Sequence, residues 1–296
     1  MGTSGKQTTA ASSSLRASDG VRETTAGTVA GSLAIGLTGG VVGSLIGLGG
    51  GFLMIPLMTA TMGLTQHQAH GTSLVAVLFT AVGAALTYGN RGSVAWVAAA
   101  GVALSGMVFA RLGARFSHQV STRRLQGFFG WFLVFTAAVL PTLRLLLRQA
   151  PDQAHVAWWL QAVTGTGVGV ISGFMSGLLG IGGGAIVVAA LVLTLGLSQH
   201  TAQGTALAAM IPTALSGSIT HHRLGHTVWQ VAPLLGLGSI AGGWLGAVLA
   251  HRLASDALRN LFSASIFLLG LYYVRRSRAP AASAAARSAS EQEARR

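Results

Sequence analysis

Long apolar stretches with almost no charged residues constrain the fold of this chain more than any other feature. Between residues 27 and 274 the sequence repeatedly offers apolar runs of the length that crosses a bilayer, about 20 residues each. Only 8% of the residues are charged, whereas soluble domains carry about 25%. This pattern excludes an ordinary soluble domain and a disordered chain. It predicts an all-α protein that crosses the membrane several times.

The strongly basic balance of the chain does not indicate a nucleic-acid binder. The net charge is +13 and the pI is about 11.9, but the Lys and Arg residues lie in short gaps between apolar runs and in two tails. A nucleic-acid site needs them clustered on a folded surface. Basic gaps are instead typical of membrane proteins, where cytoplasmic loops are enriched in Lys and Arg and contact anionic lipid. The chain has no Cys, which excludes disulfides, thiolate catalysis and Cys-metal sites.

The apolar stretches predict ten helical segments in two series of five. The segments are 27–48, 51–64, 71–88, 94–113, 125–147, 157–181, 184–197, 204–220, 228–250 and 257–274. Two of them, 51–64 and 184–197, are short for a full crossing. We expect these two to be half-helices or re-entrant segments.

The second series repeats the first at a spacing of 133 residues. Between 45–72 and 178–205, 13 of the 28 positions are identical. The shared positions include glycine triplets and a Gln-His pair, which a merely apolar composition would not match in one register. We therefore divide the chain into a polar tail (1–26), a first repeat (27–147), a connecting loop (148–156), a second repeat (157–274) and a basic tail (275–296).

Charge in the loops predicts that the two repeats have opposite orientations. The arginine-rich loop Arg111–Arg124 belongs inside, as does the basic C-terminal tail. The counterpart of that loop in the second repeat, His251–Arg259, then falls outside. The predicted fold is an all-α polytopic membrane protein of two inverted-topology repeats, about five helical segments each, with both termini cytoplasmic. In secondary transporters of this architecture, glycine-broken helices meet near the midplane and bind the substrate there.

Two glycine clusters, GLGGG at 47–51 and GIGGG at 180–184, are the first candidate site. Consecutive glycines break a helix, and broken backbone is tolerated at membrane depth only where protein buries it or it lines a cavity. The following helix would point free N–H groups and its positive dipole end at an anion. Close helix packing is the alternative explanation. The candidate substrate-binding glycines are Gly49, Gly50, Gly51, Gly182, Gly183 and Gly184.

A second repeated motif supplies polar side chains. It reads Gln-His-x-x-x-Gly-Thr and adds Gln66, His67 and Thr72 in the first half and Gln199, His200 and Thr205 in the second. Gln, Thr and His offer hydrogen-bond donors to an oxyanion, and protonated His adds a positive charge. His67 and His200 are the candidates for proton coupling. The alternative is that these residues cap the next helix. His70 is a weaker candidate because its counterpart is Gln203.

The positions of the acidic residues narrow the substrate class. All six Asp and Glu residues lie in tails or loops, so no carboxylate is available within the spans to bind a cation or relay protons. No cluster of ligands or nucleophile–base pair suggests an enzyme, a cofactor or a metal. The spacing His221-His222-x-x-x-His226 is compatible with metal binding, but we interpret it as a basic loop at the interface.

These repeated motifs resemble the sulfite exporter TauE/SafE family of membrane permeases. The resemblance rests on the glycine clusters with Pro56 and on both Gln-His motifs, and it covers roughly residues 27–275. It implies a bacterial inner-membrane carrier of sulfur-containing anions such as sulfite or sulfoacetate. A channel for small anions and a carrier of a non-sulfur organic anion stay open, as does a homodimer. Ala185 and Ala189 replace Phe52 and Pro56 in the second copy, so the two half-sites differ chemically.

Overall fold

The computed structural model describes residues 26–117, 122–146 and 156–278, and every regular element within these ranges is an α-helix. The predicted tails and connecting loop fall mostly outside them. The all-α prediction is confirmed. The helices are α1 Ala26–Leu45, α2 Gly51–Thr61, α3 Gln66–Asn90, α4 Trp96–Phe116, α5 Thr122–Leu146, α6 Trp158–Leu179, α7 Gly184–Leu195, α8 Gln199–Arg223, α9 Ala232–Ala250 and α10 Ser255–Arg278.

Six of the described helices, α1, α3, α4, α6, α9 and α10, are long and apolar enough to cross a membrane. Helices α2 and α7 have only 11 and 12 residues. At about 1.5 Å per residue, each reaches roughly half of a hydrocarbon core about 30 Å thick. They are half-helices, as the lengths of segments 51–64 and 184–197 predict.

Large apolar side chains cover the outside of the helical bundle. Leu104 is 70% exposed, Phe128 is 75% exposed and Trp158 is 72% exposed. Such an outer surface would be an aggregation hazard in water, but it suits contact with lipid. The apolar outer surface and the six membrane-spanning helices together identify the chain as a multi-pass membrane protein.

The most extensive helix contacts join the two halves of the chain. Helix α1 packs on α9 and α4 on α6; α3 packs on α8 and α5 on α10. Helix α9 also packs on α3, and α4 on α8. This set of contacts is unchanged when each helix is exchanged for its equivalent in the other half. The α1–α9 contact becomes the α6–α4 contact, and the α3–α9 contact becomes the α8–α4 contact. The α3–α8 and α5–α10 contacts map onto themselves. The two halves therefore pack extensively on each other.

Glycine lets the helices from different halves approach closely. A Cβ atom built on Gly36 of α1 would collide with the carbonyl oxygen of Leu235 in α9. One built on Gly101 of α4 would lie 2.9 Å from the carbonyl oxygen of Ala162 in α6. Small residues serve this purpose in membrane helices generally, so these isolated glycines are helix-packing positions.

Helices α3 and α8 begin five residues earlier than the apolar pattern predicts. The hydroxyl of Thr65 accepts a hydrogen bond from the backbone N–H of Gln68 at 3.3 Å, and the side chain of Gln68 accepts one from the N–H of Thr65 at 3.0 Å. This reciprocal capping box starts a helix even where the first turn is polar. The hydroxyl of Ser198 caps α8 by accepting a hydrogen bond from the N–H of Thr201 at 3.2 Å. Both Gln-His motifs consequently lie in first helical turns and not in the connections.

Candidate functional site

The two glycine clusters adopt the same backbone conformation. Their positive φ angles are 75° at Gly47, 77° at Gly49, 87° at Gly50, 68° at Gly180, 92° at Gly182 and 72° at Gly183. Only glycine occupies this left-handed region without strain. Each cluster thus ends one helix and starts a half-helix in a new direction, which is the helix break expected from the glycine triplets.

The two glycine loops touch each other. A Cβ atom built on Gly51, the first residue of α2, would lie 2.8 Å from the carbonyl oxygen of Gly180. One built on Gly184, the first residue of α7, would collide with the carbonyl oxygen of Gly47. The start of each half-helix is therefore packed against the loop of the other repeat, and no side chain larger than hydrogen fits there.

The first N–H groups of both half-helices are uncapped. The N-cap residues are Gly50 and Gly183, which have no side chain to accept a bond. Within the part of the chain that the structure describes, the backbone N–H groups of Gly51 and Phe52, and of Gly184 and Ala185, meet no acceptor. Four such donors at two positive helix ends therefore lie in adjoining loops, and three of the four residues, Gly51, Gly184 and Ala185, are buried.

Two apolar side chains fill the space between the loops. A Cβ atom built on Gly49 would lie 3.0 Å from Cγ1 of Val77 and 2.9 Å from the sulfur of Met210. One on Gly182 would lie 3.0 Å and 3.4 Å from the same two atoms. Nothing in an apolar run marks Val77 and Met210 as central. The sequence signal that identifies them is their spacing of 133 residues, which makes them equivalent positions in the two repeats.

Two further side chains that flank the glycine loops occupy one repeat position, at which the residue type differs between the halves. A Cβ atom built on Gly47 would lie 2.7 Å from Cγ of Gln203, and one on Gly180 would lie 2.9 Å from Cβ of His70. By sequence His70 is the weaker candidate, because its counterpart is Gln203. In the structure, both side chains contact a glycine loop of the other half.

The Gly-Thr end of each motif holds a loop from the other half. The hydroxyl of Thr72 accepts a hydrogen bond from the N–H of Val228 at 3.1 Å, and that of Thr205 accepts one from the N–H of Ala95 at 2.9 Å. Both hydroxyls are fully buried. The neighbouring glycines, at 71 and 204, let the loop backbone approach. We call these two arrangements the threonine clasps.

The Gln-His pairs are placed differently in the two halves. His67 is exposed and stacks on His226 with ring centroids 5.1 Å apart, and Gln66 lies 3.4 Å from the ring of His70. In the second half, His200 donates from Nε2 to the carbonyl oxygen of Ala250 at 3.1 Å, and its Nδ1 lies 3.0 Å from the hydroxyl of Ser255. Because a carbonyl can only accept, this bond fixes the proton on Nε2 when the ring is neutral.

Gln199 is fully buried, and both atoms of its amide lack a hydrogen-bond partner among the described residues. The candidate site residues therefore have different surroundings. The glycine loops contact each other, and the two threonines hold loops of the other half. His67 is exposed, His200 is hydrogen-bonded and the Gln199 amide has no partner among the described residues. Within the described ranges, no group of three or more His, Asp or Glu side chains is placed to hold a metal ion, the 221–226 histidines included.

A further histidine lies at the end of α9, beside His200. Nδ1 of His251 donates to the carbonyl oxygen of Ala247 at 2.8 Å, and the ring centroids of His251 and His200 are 5.2 Å apart. Burial lowers the pKa of His251 below its ordinary value of 6.5. The bond to Ala247 opposes this effect, and the charges of His200 and Arg91 reinforce it. Sequence reasoning missed this contact because the two rings lie on different helices.

Comparison with known proteins identifies relatives along almost the whole described chain. A family model described as "Sulfite exporter TauE/SafE" matches residues 32–273. A "probable membrane transporter protein" of Xylella fastidiosa is 30% identical over 234 residues, covering 78% of this chain and 89% of the relative. The "probable membrane transporter protein YunE" of Bacillus subtilis is 28% identical and covers 76% of this chain and 89% of the relative. No solved structure matches this chain significantly.

Proposed function

This chain belongs to the sulfite exporter TauE/SafE family and is a multi-pass membrane transporter, and from that premise we propose that it is a secondary carrier of small sulfur-containing anions. Sulfite and organosulfonates such as sulfoacetate are the substrates we would test first. The proposed location is a bacterial inner membrane, with both termini in the cytoplasm.

The observation that carries the anion assignment is the contact between two uncapped half-helix starts. Positive helix ends and free N–H groups stabilise negative charge, and they do so most where water is excluded. The donors of α2 and α7 lie in adjoining loops, so oxygens of one small anion could accept bonds from both. An oxyanion such as a sulfonate presents several acceptors and needs no donor in return.

A buried hydroxyl beside one of these helix starts supports the same assignment. Ser176 is 1% exposed, and its Oγ has no partner among the described residues. Its Cβ would lie 3.3 Å from a Cβ atom built on Gly183, the N-cap of α7. Carboxylates that would favour a cation are missing, since Asp256 at the start of α10 is the sole acidic residue within the described ranges.

We assign the transport cycle to alternating access between two inverted repeats. The packing of α1 on α9, repeated as α4 on α6, supports a pseudo-twofold arrangement of the halves. Rocking of one half would separate the glycine loops and withdraw Val77 and Met210 from between them. The substrate would then be released to the opposite side. His67 and His200 remain our candidates for coupling the movement to protons.

The test is uptake of radiolabelled sulfite by proteoliposomes containing the purified protein, with and without a pH gradient. We expect saturable uptake that sulfoacetate and thiosulfate inhibit and acetate does not, and stimulation of uptake by substrate on the opposite side. Flux that does not saturate and shows no such stimulation would indicate a channel. Saturable uptake of radiolabelled acetate without uptake of sulfite or sulfoacetate would indicate a carrier of non-sulfur organic anions and would refute the sulfur-anion assignment.

A further inference from the structure

Two glutamine side chains on α8 are buried, and their amide groups lack some or all of their hydrogen bonds. Among the described residues, the equivalent positions on α3 have no such unpartnered amides. We propose that Gln203, with Gln199 one turn before it, recognises the oxyanion of the substrate, and that Tyr88 is the positioning residue for Gln203. This proposal rests on the proposed function and deepens it, because it locates the specificity-determining donors in the second half of the chain.

Leaving these amides unpaired in the protein interior costs free energy. Gln199 and Gln203 are both 0% exposed. Among the described residues, Nε2 of Gln203 and both amide atoms of Gln199 have no partner. Buried polar groups almost always have one, so such groups require an explanation. A ligand that accepts their hydrogen bonds provides it.

The fold places the side chain of Gln203 beside the glycine loops. Gln199 and Gln203 are four residues apart on one helix and therefore share a face. Cγ of Gln203 packs on Gly47, in the loop that leads into α2. The carbonyl oxygen of Gly47 in turn contacts Gly184, the first residue of α7. The unpartnered amide therefore lies where the two glycine loops meet.

The equivalent positions of the first half differ in their hydrogen bonding. At the corresponding positions, Gln66 and His70 lie within 3.4 Å of each other, so their polar groups contact one another. The amides of Gln199 and Gln203 make no such contact. The repeat therefore supplies an internal comparison: the same helical turn is internally bonded in α3 and has unpartnered donors in α8.

Tyr88 sets the orientation of Gln203. Its hydroxyl lies 3.0 Å from Oε1 of Gln203 and 3.3 Å from the carbonyl oxygen of Ser44. When the phenol donates to Oε1, the amide turns its NH₂ group away and leaves two N–H donors for an acceptor ligand. Neutral donors of this kind bind an ionised sulfonate or sulfite through its oxygens. They discriminate strongly against analogues that lack those acceptors.

The experiment compares four purified variants with the wild type: Gln203→Leu, Gln203→Glu, Tyr88→Phe and, as the control for a Gln→Glu change, Gln230→Glu in the exposed loop before α9. Two properties are measured for each. One is the shift in thermal unfolding temperature caused by sulfite, sulfoacetate, phosphate or acetate. The other is the half-saturation concentration and maximal rate of sulfite uptake.

We expect Gln203→Leu and Gln203→Glu to abolish the anion-induced thermal shift and lower uptake at least tenfold, while Gln230→Glu behaves as wild type. Tyr88→Phe should raise the half-saturation concentration several-fold with little change in maximal rate, which a purely structural role would not produce. Without anion, Gln203→Leu should unfold no lower than the wild type, since it removes an unpartnered polar group.

Several results would overturn the proposal. An undiminished thermal shift and uptake in both Gln203 variants would remove Gln203 from the site while leaving the proposed function intact. Retained binding in Gln203→Glu alone would mean that Gln203 contributes an acceptor and that the ligand is a donor. A wild-type shift with phosphate but no sulfur anion, lost in Gln203→Leu, would support the donor site and refute the sulfur-anion function. No shift with any anion would refute both.

Discussion

At the scale of single residues, the threonine clasps explain why a Gly-Thr pair ends each repeated motif. A hydroxyl that accepts from a loop N–H needs the loop within bonding distance, and the preceding glycine removes the side chain that would keep it away. The bond to Ala95 and the bond to Val228 each cross from one half of the chain to the other. Both clasps therefore contribute to how firmly the halves are joined.

The clasp in the second half gives a prediction for stability. Thr205→Val preserves shape but leaves the half-buried N–H of Ala95 without an acceptor, and the cost of about 1–3 kcal/mol for a fully buried donor is the upper bound on the loss. We expect a lower thermal unfolding temperature for this variant. Thr194→Val is the matched control, because the hydroxyl of Thr194 is exposed and bonds only within its own helix. Equal unfolding temperatures for the two variants would contradict the role of the clasp.

His251 gives a prediction for the dependence of stability on pH. Its pKa is lowered in the folded protein, chiefly by burial, so the unfolded chain takes up the proton more readily. Above the ordinary pKa of 6.5, this difference between the two states does not reduce the free energy of unfolding. As the pH falls through 6.5 toward the lowered pKa, the free energy of unfolding decreases. Neighbouring charges from His200 and Arg91 act in the same direction.

We expect thermal unfolding temperatures measured from about pH 8 to about pH 5 to fall less steeply for His251→Gln than for the wild type. The same substitution at the exposed His222 controls for the removal of a histidine. A slope that His251→Gln leaves unchanged would show that the loss of stability in acid arises elsewhere.

At the scale of elements, the two half-helices depend on their glycine starts for two separable reasons. A residue other than glycine at the φ of 72° found at Gly183 costs about 1–2 kcal/mol. A Cβ atom at Gly183 would also lie 2.6 Å from the carbonyl oxygen of Ser172 and push the loop away from α6. Gly196 has a similar φ, 62°, but nothing within 4 Å of its Cβ position.

These two glycines allow strain and packing to be measured apart. Gly196→Ala should lose about 1–2 kcal/mol of stability and retain transport. Gly183→Ala should lose more stability and abolish sulfite uptake, because the start of α7 moves. Gly167→Ala, with ordinary φ and open space, should match the wild type. Transport by Gly183→Ala at the rate of Gly196→Ala would refute the role of the half-helix start in binding.

The sequence predicts where the two half-helices begin better than it predicts which side chains surround them. The start of α2 at Gly51 and of α7 at Gly184 follows from backbone that only glycine adopts, which is a local property. The apolar pattern does not predict the start of α3 at Gln66, because a capping box extends the helix into a polar first turn. Val77, Met210 and Gln203 are missed because their importance arises from contacts between the halves, which local composition does not encode.

At the scale of the whole molecule, the two halves share their backbone and differ in their polar side chains. Within the described ranges every glycine with positive φ has a partner 133 residues away. Tyr88 and His221 likewise occupy equivalent positions and bond equivalent carbonyl oxygens, those of Ser44 and Gly177. A symmetric scaffold allows two related conformations of similar energy, and unequal side chains allow one of them to bind substrate more tightly. That combination suits a carrier that takes up its substrate on one side and releases it on the other.

The proposed inversion of the halves makes a prediction that needs no transport assay. Asn90 and Arg223 are exposed, equivalent last residues of α3 and α8, and the inverted arrangement puts them on opposite faces of the membrane. The natural chain has no Cys, so Asn90→Cys and Arg223→Cys each introduce one reactive thiol. A membrane-impermeant maleimide should label Asn90→Cys in intact spheroplasts, since loop charge puts that end outside.

Arg223→Cys should be labelled only after the membrane is opened. Leu104→Cys, whose side chain lies on the apolar outer surface, should stay unlabelled in both conditions because the reactive thiolate does not form in lipid. Labelling of Asn90→Cys and Arg223→Cys from the same side would mean parallel halves. In that case the half-helices α2 and α7 would both extend into the membrane from the same face. A rocking movement about an axis in the membrane plane could then not open the site to each side of the membrane in turn.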